Sequence, residues 1–281
     1  MISMLVRSAL QLLLWFVLAI APLTATAVGR NAVPSNNAEL QAELEEYISG
    51  LNGMYGVAAV SLDDGSGVFV NDETLFPTAS MYKLLVMYRV FQAIEAGSLS
   101  PEDYLTITSD DFAGGEDGIF VPDDTVTVGR ALEAMIAESN NASAYALTRA
   151  VGGWGMVASA AEELGMYSTY MEEDFVSTPN DLAHFFRLLA ERSLVSPSAS
   201  EQMIDLLLEQ KSYDRLPALL PEGVQVAHKT GELPGVRNDG GIVRGFGGRY
   251  VVVVMSQQGD PDEQVPAEAE ISRMVYDYYG E

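Results

Sequence analysis

Ser80 and Lys83 stand three positions apart in Ser80-Met81-Tyr82-Lys83, and a second lysine opens Lys229-Thr230-Gly231. Only three lysines occur in the chain, and arginine supplies the rest of its positive charge. A lysine can do what an arginine cannot: burial can strip its proton and turn it into a base. Three residues is just under one helical turn, so Lys83 lies on the same face as Ser80, within reach of its hydroxyl. A serine beside a neutral amine is an activated nucleophile, and a helix N-terminus next to it favours the oxyanion formed after attack. The implied chemistry is acyl transfer. Taken alone, Ser-x-x-Lys occurs in many helices, so the reading depends on what positions it.

The segment after Ser80 carries Leu84, Leu85, Val86, Met87, Val90, Phe91 and Ile94, apolar nearly all round, which predicts a buried central helix ending at Gly97. Ahead of it, Asn37 or Ser35 caps a helix running to Ser49, and Tyr55–Leu62 and Val68–Asn71 read as strands joined by Asp63-Asp64-Gly65-Ser66-Gly67. Near the other end Val224–Thr230, Gly240–Arg244 and Arg249–Ser256 read as strands, and Gln264–Tyr279 as a helix. Between these groups the pattern is helical: Val128–Glu138, Ala142–Val151, Val157–Leu164, Pro179–Arg192 and Ser198–Glu209. The expected fold is α+β: an antiparallel sheet built from both chain ends, flanked by helices, with a helical part in the middle and a cleft between. The sheet part spans about 37–75 and 210–281, the helical part about 76–209.

Residues 1–27 hold one charge, Arg7, an apolar run Ala9–Leu23 and then Ala25-Thr26-Ala27, the pattern of an export signal cleaved near Ala27; an uncleaved membrane anchor is the alternative. Residues 28–36 read as a linker and 37–281 as one domain. Either way the domain lies outside the cytoplasm. The chain has no cysteine, which excludes disulfides, a lipid-attachment cysteine and thiol chemistry. The formal net charge of −25 repels phosphate backbones, so nucleic acid is not an expected partner. His184 and His228 are the only histidines and read as structural, no metal or other cofactor is expected, and Asp110-Asp111 to Asp123-Asp124 lacks calcium-loop spacing.

Ser139-Asn140-Asn141 falls between two predicted helices, and Lys229-Thr230-Gly231 ends a predicted strand. Together with Ser80 and Lys83 they resemble the motif set of the penicillin-recognising serine hydrolases, the class A β-lactamases and penicillin-binding proteins. The resemblance takes in Phe76-Pro77-Thr78-Ala79, Gly165-Met166, Ser177-Thr178-Pro179, Asn238-Asp239-Gly240 and the tyrosine-rich final helix. It implies a β-lactamase/transpeptidase-like fold and the following roles. Ser80 is the acylated nucleophile, Lys83 its base or proton relay, and Ser139 passes a proton to the leaving nitrogen. Asn141 holds the substrate amide, Lys229 and Thr230 the substrate carboxylate, and Gly231 leaves room for close approach to the strand. The backbone N–H groups of Ser80 and Glu232 form the oxyanion hole, and Arg237 is a weaker carboxylate contact.

Two departures matter. Asn140 stands where class A enzymes usually carry aspartate. The segment Tyr167–Val176 is shorter than the loop that holds the deacylating glutamate in that family; Glu172 and Glu173 are its only glutamates and read as solvated acids. Acylation is therefore better supported than turnover. The resemblance implies a monomer acting on a β-lactam, or on a peptidoglycan stem peptide as a D-alanyl-D-alanine carboxypeptidase or transpeptidase, or a penicillin sensor that stays acylated. The membrane is a partner only if the N-terminal segment is uncleaved.

Overall fold

The computed structural model describes residues 37–115, 118–171 and 175–280. The export signal, the linker, Glu172 and Glu173 lie outside these residues. The chain runs α1 (Ala38–Ser49), β1 (Met54–Ser61), β2 (Gly67–Val70), β3 (Phe76–Pro77), α2 (Lys83–Glu95), β4 (Tyr104–Thr106), β5 (Thr125–Thr127) and α3 (Val128–Ala137). It continues with α4 (Asn141–Ala150), α5 (Trp154–Glu163), β6 (Tyr170–Met171), β7 (Phe175–Ser177), α6 (Pro179–Ala190) and α7 (Pro197–Leu208). The last elements are β8 (Gln225–Leu233), β9 (Val236–Arg244), β10 (Arg249–Gln257) and α8 (Pro261–Tyr279).

The apolar run Tyr250–Met255 explains the sheet. A strand buried on both faces belongs in the middle of a sheet, and β10 is the central strand of the order β2-β1-β10-β9-β8. It pairs antiparallel with β1 (Val57 opposite Val254) and with β9 (Val253 opposite Gly240), so the two chain ends meet in one sheet as expected. Period-two alternation then divides the core. Ala58, Val251, Val253 and Met255 pack with α2, α3, α6 and α7 on one face. Val57, Ala59, Val252 and Val254 pack with α1 and α8 on the other.

The central helix α2 buries every residue from Lys83 to Phe91. Each fully buried Leu, Val or Phe side chain contributes about 1.5–3 kcal/mol, which anchors the first turn of α2 firmly in the core. Arg89 is tolerated there because Glu163 receives two of its N–H groups at 2.7 Å and Met156 O a third.

Three details differ from the sequence expectations. β9 begins at Val236 and not Gly240, because Arg237, Asn238 and Asp239 look like turn residues but satisfy their polar groups inside the sheet. Five short strands of two or three residues, β3 to β7, interrupt the helical middle, below the length at which periodicity is readable. Asn37 does not cap α1: its side-chain amide bonds the hydroxyls of Tyr278 and Tyr279 at the end of α8.

Candidate active site

The expected α-helix from Ser80 opens instead as a 3-10 turn, Ala79–Tyr82, that passes into α2 at Lys83. The tighter winding matters, because residues i and i+3 eclipse in a 3-10 turn. Ser80 and Lys83 are thereby stacked, with Lys83 Nζ 3.1 Å from Ser80 Oγ. The turn is held from several sides. Thr78 N donates to Phe175 O at 2.7 Å, and β3 pairs with β7 through Phe76 opposite Ser177. Ala79, just before Ser80, has φ 47°, a left-handed conformation that a non-glycine residue keeps only where its surroundings impose it.

Ser139 is another such residue, at φ 56° between α3 and α4. That backbone turns both its carbonyl and its hydroxyl into the cleft. Lys83 Nζ lies 2.5 Å from Ser139 O, 3.3 Å from Ser139 Oγ and 2.8 Å from Asn141 Oδ1. Asn141 Nδ2 donates to Gly114 O at 2.8 Å, which ties the amide to the loop bordering the cleft. Asn140, fully buried, uses its side chain to cap α4 by accepting from Ser143 N at 2.7 Å. An asparagine does that as well as an aspartate would.

Opposite stands β8, at the edge of the sheet. Strand alternation places Lys229 and Gly231 on the side of the Ser80 turn, and His228, Thr230 and Glu232 on the other. Lys229 Nζ lies 3.0 Å from Ser139 Oγ and 2.9 Å from Thr230 O. Ser80, Lys83, Ser139 and Lys229 are thus linked Nζ to hydroxyl across the cleft. Burial pulls the Lys229 ammonium down from its ordinary 10.5 to about 7; Arg215 adds to the fall, and Asp239 and Glu232 oppose it. Gly231 is required by its neighbour: a Cβ there would stand 2.7 Å from Thr78 O and 3.1 Å from Ala79 Cβ. The close approach is made by the turn that carries Ser80.

His228 is buried on the far face, its Nδ1 2.9 Å from Asp239 Oδ1, and His184 Nε2 is 2.9 Å from Leu164 O. Neither reaches Ser80 or Lys229. Arg237 does not join the cluster either; its Nη1 bonds Leu233 O at 2.9 Å and Val236 O at 2.8 Å, folding the side chain over its own hairpin.

Sequence reasoning missed two residues. Asn238, fully buried, donates through Nδ2 to Pro77 O at 2.8 Å and Thr78 O at 3.1 Å, and accepts from Ser256 N at 3.2 Å. It tethers the sheet to the chain immediately before Ser80. Its only signal was its place in Asn238-Asp239-Gly240. Arg215, 1% exposed and without any sequence signal, bonds Asn238 O at 3.2 Å through Nη1 and Glu232 through Nη2.

The family model described as "Beta-lactamase enzyme family" matches residues 39–279. The chain is similar to beta-lactamase VEB-1 of Pseudomonas aeruginosa, 22% identical over 90% of this chain and 94% of that protein. It is also similar to a beta-lactamase of Bacteroides uniformis, 24% identical over 85% of this chain and 90% of that one. A variant of PBP-A, solved as an acyl-enzyme complex with penicillin G, superposes with a TM-score of 0.81 at 26% identity, covering 85% of this chain and 96% of that structure.

Proposed function

The chain belongs to the beta-lactamase enzyme family, and from that premise we propose that it is an exported serine β-lactamase working through an acyl-Ser80 intermediate. The observation that carries the reading is the contiguous set Ser80 Oγ, Lys83 Nζ, Ser139 Oγ and Lys229 Nζ, with successive separations of 3.1, 3.3 and 3.0 Å. Packing alone has no use for two buried lysines and two serines in one line.

Ser80 Oγ attacks the lactam carbonyl carbon as Lys83 Nζ takes its proton, and the negative charge on the carbonyl oxygen is received by the N–H groups of Ser80 and Glu232. Ser139 delivers a proton to the ring nitrogen as the C–N bond breaks, leaving Ser80 esterified. Lys229 holds the substrate carboxylate and Asn141 its amide side chain; Thr230, whose side chain lies on the other face of β8, enters through its carbonyl, which accepts from Lys229 Nζ at 2.9 Å. Water then cleaves the ester and restores Ser80. The enzyme acts outside the cytoplasm as a monomer after removal of residues 1–27, a reading supported by the composition of that segment. Among the described residues no helix is long and apolar enough to cross a membrane.

A second reading, a penicillin-binding protein acting on D-Ala-D-Ala peptides, is favoured by the brevity of Tyr167–Val176, whose described ends pair as β6 and β7. Hydrolysis of a chromogenic cephalosporin, read beside the mass of the intact protein, separates the two. Rapid turnover supports the first; a persistent adduct together with cleavage of a D-Ala-D-Ala peptide supports the second. The same adduct lifetime in Glu172→Gln and Glu173→Gln identifies the water-activating carboxylate: a longer lifetime in either assigns it there, and an unchanged one excludes both.

A further inference from the structure

Asp111, in the acidic stretch between β4 and β5, is 3% exposed and sits in a 3-10 turn, Ser109–Gly114. Its Oδ2 accepts from Thr108 N at 2.7 Å, from Thr108 Oγ1 at 3.0 Å and from Arg149 Nη2 at 2.7 Å. The same Nη2 donates to Thr106 O at 2.9 Å, so one guanidinium near the C-terminal end of α4 grips both β4 and the turn that follows it. Asn141 opens α4, about 12 Å from Arg149 along the helix. Its Nδ2 donates at 2.8 Å to the carbonyl of Gly114, the last residue of that turn, while its Oδ1 accepts from Lys83 Nζ at 2.8 Å. Both ends of α4 therefore hold the one turn. Ile107 packs against Ala142 and Ala146, one helical turn apart on α4, and all three are fully buried. Gly114 has no room for a side chain, since a Cβ would stand 3.0 Å from Tyr145 Cε2 and 3.2 Å from Asn141 Cβ. An amide bonded through both its oxygen and its nitrogen has its rotation fixed. The position of Gly114 O thus sets the plane of the Asn141 amide, and the Asp111–Arg149 pair sets the position of Gly114 O.

We propose that Asp111 and Arg149 are positioning residues for substrates with an amide side chain, acting through Gly114 O on the rotation of the Asn141 amide. This inference rests on the β-lactamase reading, which puts that side chain against Asn141. Neither residue touches the substrate. With the ion pair cut, the turn loses its hold on the far end of α4 and Gly114 O no longer fixes the Asn141 amide, so the substrate must order that amide as it binds. A lactam with no amide side chain makes no use of Asn141 in this way and loses nothing.

The test compares acylation of Ser80 by benzylpenicillin and by penicillanic acid, the same bicycle without the acylamide, in the wild type, Arg149→Met, Arg149→Lys and Asp111→Asn. The readout is the second-order rate of adduct formation, followed by rapid mixing and intact mass. Arg149 is half exposed, which favours folded variants, and thermal melts check each one. Where Asp111→Asn does not fold, the two Arg149 variants decide. Arg149→Met should be acylated by benzylpenicillin about fivefold more slowly than wild type, the scale of ordering one side chain on binding, while the rate with penicillanic acid changes less than about twofold. Asp111→Asn should move the ratio of the two rates in the same direction, and Arg149→Lys, which keeps a cation on Asp111, should lie between Arg149→Met and wild type. A ratio that stays put, whether both rates fall together or neither moves, makes the pair merely structural; it overturns the proposal and leaves the β-lactamase reading standing. Failure of both probes to acylate the wild type overturns that reading and the positioning role with it.

Discussion

The alkaline limb of the activity profile should belong to Lys229. Its ammonium is fully buried, and burial lowers its pKa to about 7. In the free enzyme, then, the charged form should dominate about tenfold at a pH near 6 and be outnumbered about tenfold near 8. If Lys229 holds the substrate carboxylate, kcat/KM should decline through that window. A hydrogen bond from a charged donor is worth about 1.5–3 kcal/mol, so the decline should level off roughly 10- to 150-fold below its acid-side value. The loss should fall on kcat/KM and spare kcat, because a bound anion raises the lysine pKa and keeps it charged in the complex. The assay is initial-rate hydrolysis of a chromogenic cephalosporin across this range, beside an ester lacking the carboxylate. Lys229→Arg, whose guanidinium stays charged throughout, should lose the limb even if its absolute rate is lower. A wild-type profile flat to a pH of about 9, or an equal decline for the ester, would refute the reasoning. Stability carries the same signature with a definite sign. A lysine whose pKa is depressed on folding costs the folded state while it is charged, and the cost is relieved as pH rises from about 7 toward 10.5. Wild type should therefore gain stability relative to Lys229→Met across that window, by up to about 5 kcal/mol.

Three substitutions probe the rest of the site. Lys83→Arg replaces an amine that can be neutral with a guanidinium that stays protonated and cannot accept the Ser80 proton, so acylation of Ser80 should slow by about a hundredfold or more, read by stopped-flow; a change of only a few-fold would reduce Lys83 to a structural cation. Gly231→Ala would force a methyl group 2.7 Å from Thr78 O, and should cost about 1–3 kcal/mol in denaturant melts while slowing acylation, because the atoms that must give way belong to the nucleophile turn. Asn238→Leu removes the bonds to Pro77 O and Thr78 O and the one from Ser256 N, and should destabilise by about 2–4 kcal/mol through three lost buried hydrogen bonds, Thr78 O keeping Met81 N as a donor; melts unchanged within about 0.5 kcal/mol would show the tether to be dispensable.

The large features were legible because each is over-determined by composition. The all-round apolar pattern of Leu84 to Ile94 reads as a buried helix and the run Tyr250–Met255 as a strand, which the structure sets at the centre of the sheet. Ser80, Lys83, Ser139, Asn141 and Lys229 were nameable because their types are informative at their spacings, and the structure brings all five together. What was not legible arises from long-range partners. Nothing local says that the serine rides on a 3-10 turn; that follows from Asn238 and Phe175 gripping Thr78 from distant strands. Asn238 and Asp239 resemble turn residues until the strand beside them supplies their hydrogen bonds. Arg215 has no motif at all, and only burial against Glu232 and Asn238 O reveals it.

The central claim is that a β-lactam esterifies Ser80, and intact-mass spectrometry of the protein quenched within seconds of mixing with penicillin, followed by peptide mapping, tests it most directly. The account predicts a mass increase equal to one whole penicillin, mapped to the peptide carrying Ser80, transient in the wild type and absent in a folded Ser80→Ala variant. An adduct that maps elsewhere, or forms in Ser80→Ala at the wild-type rate, would contradict it.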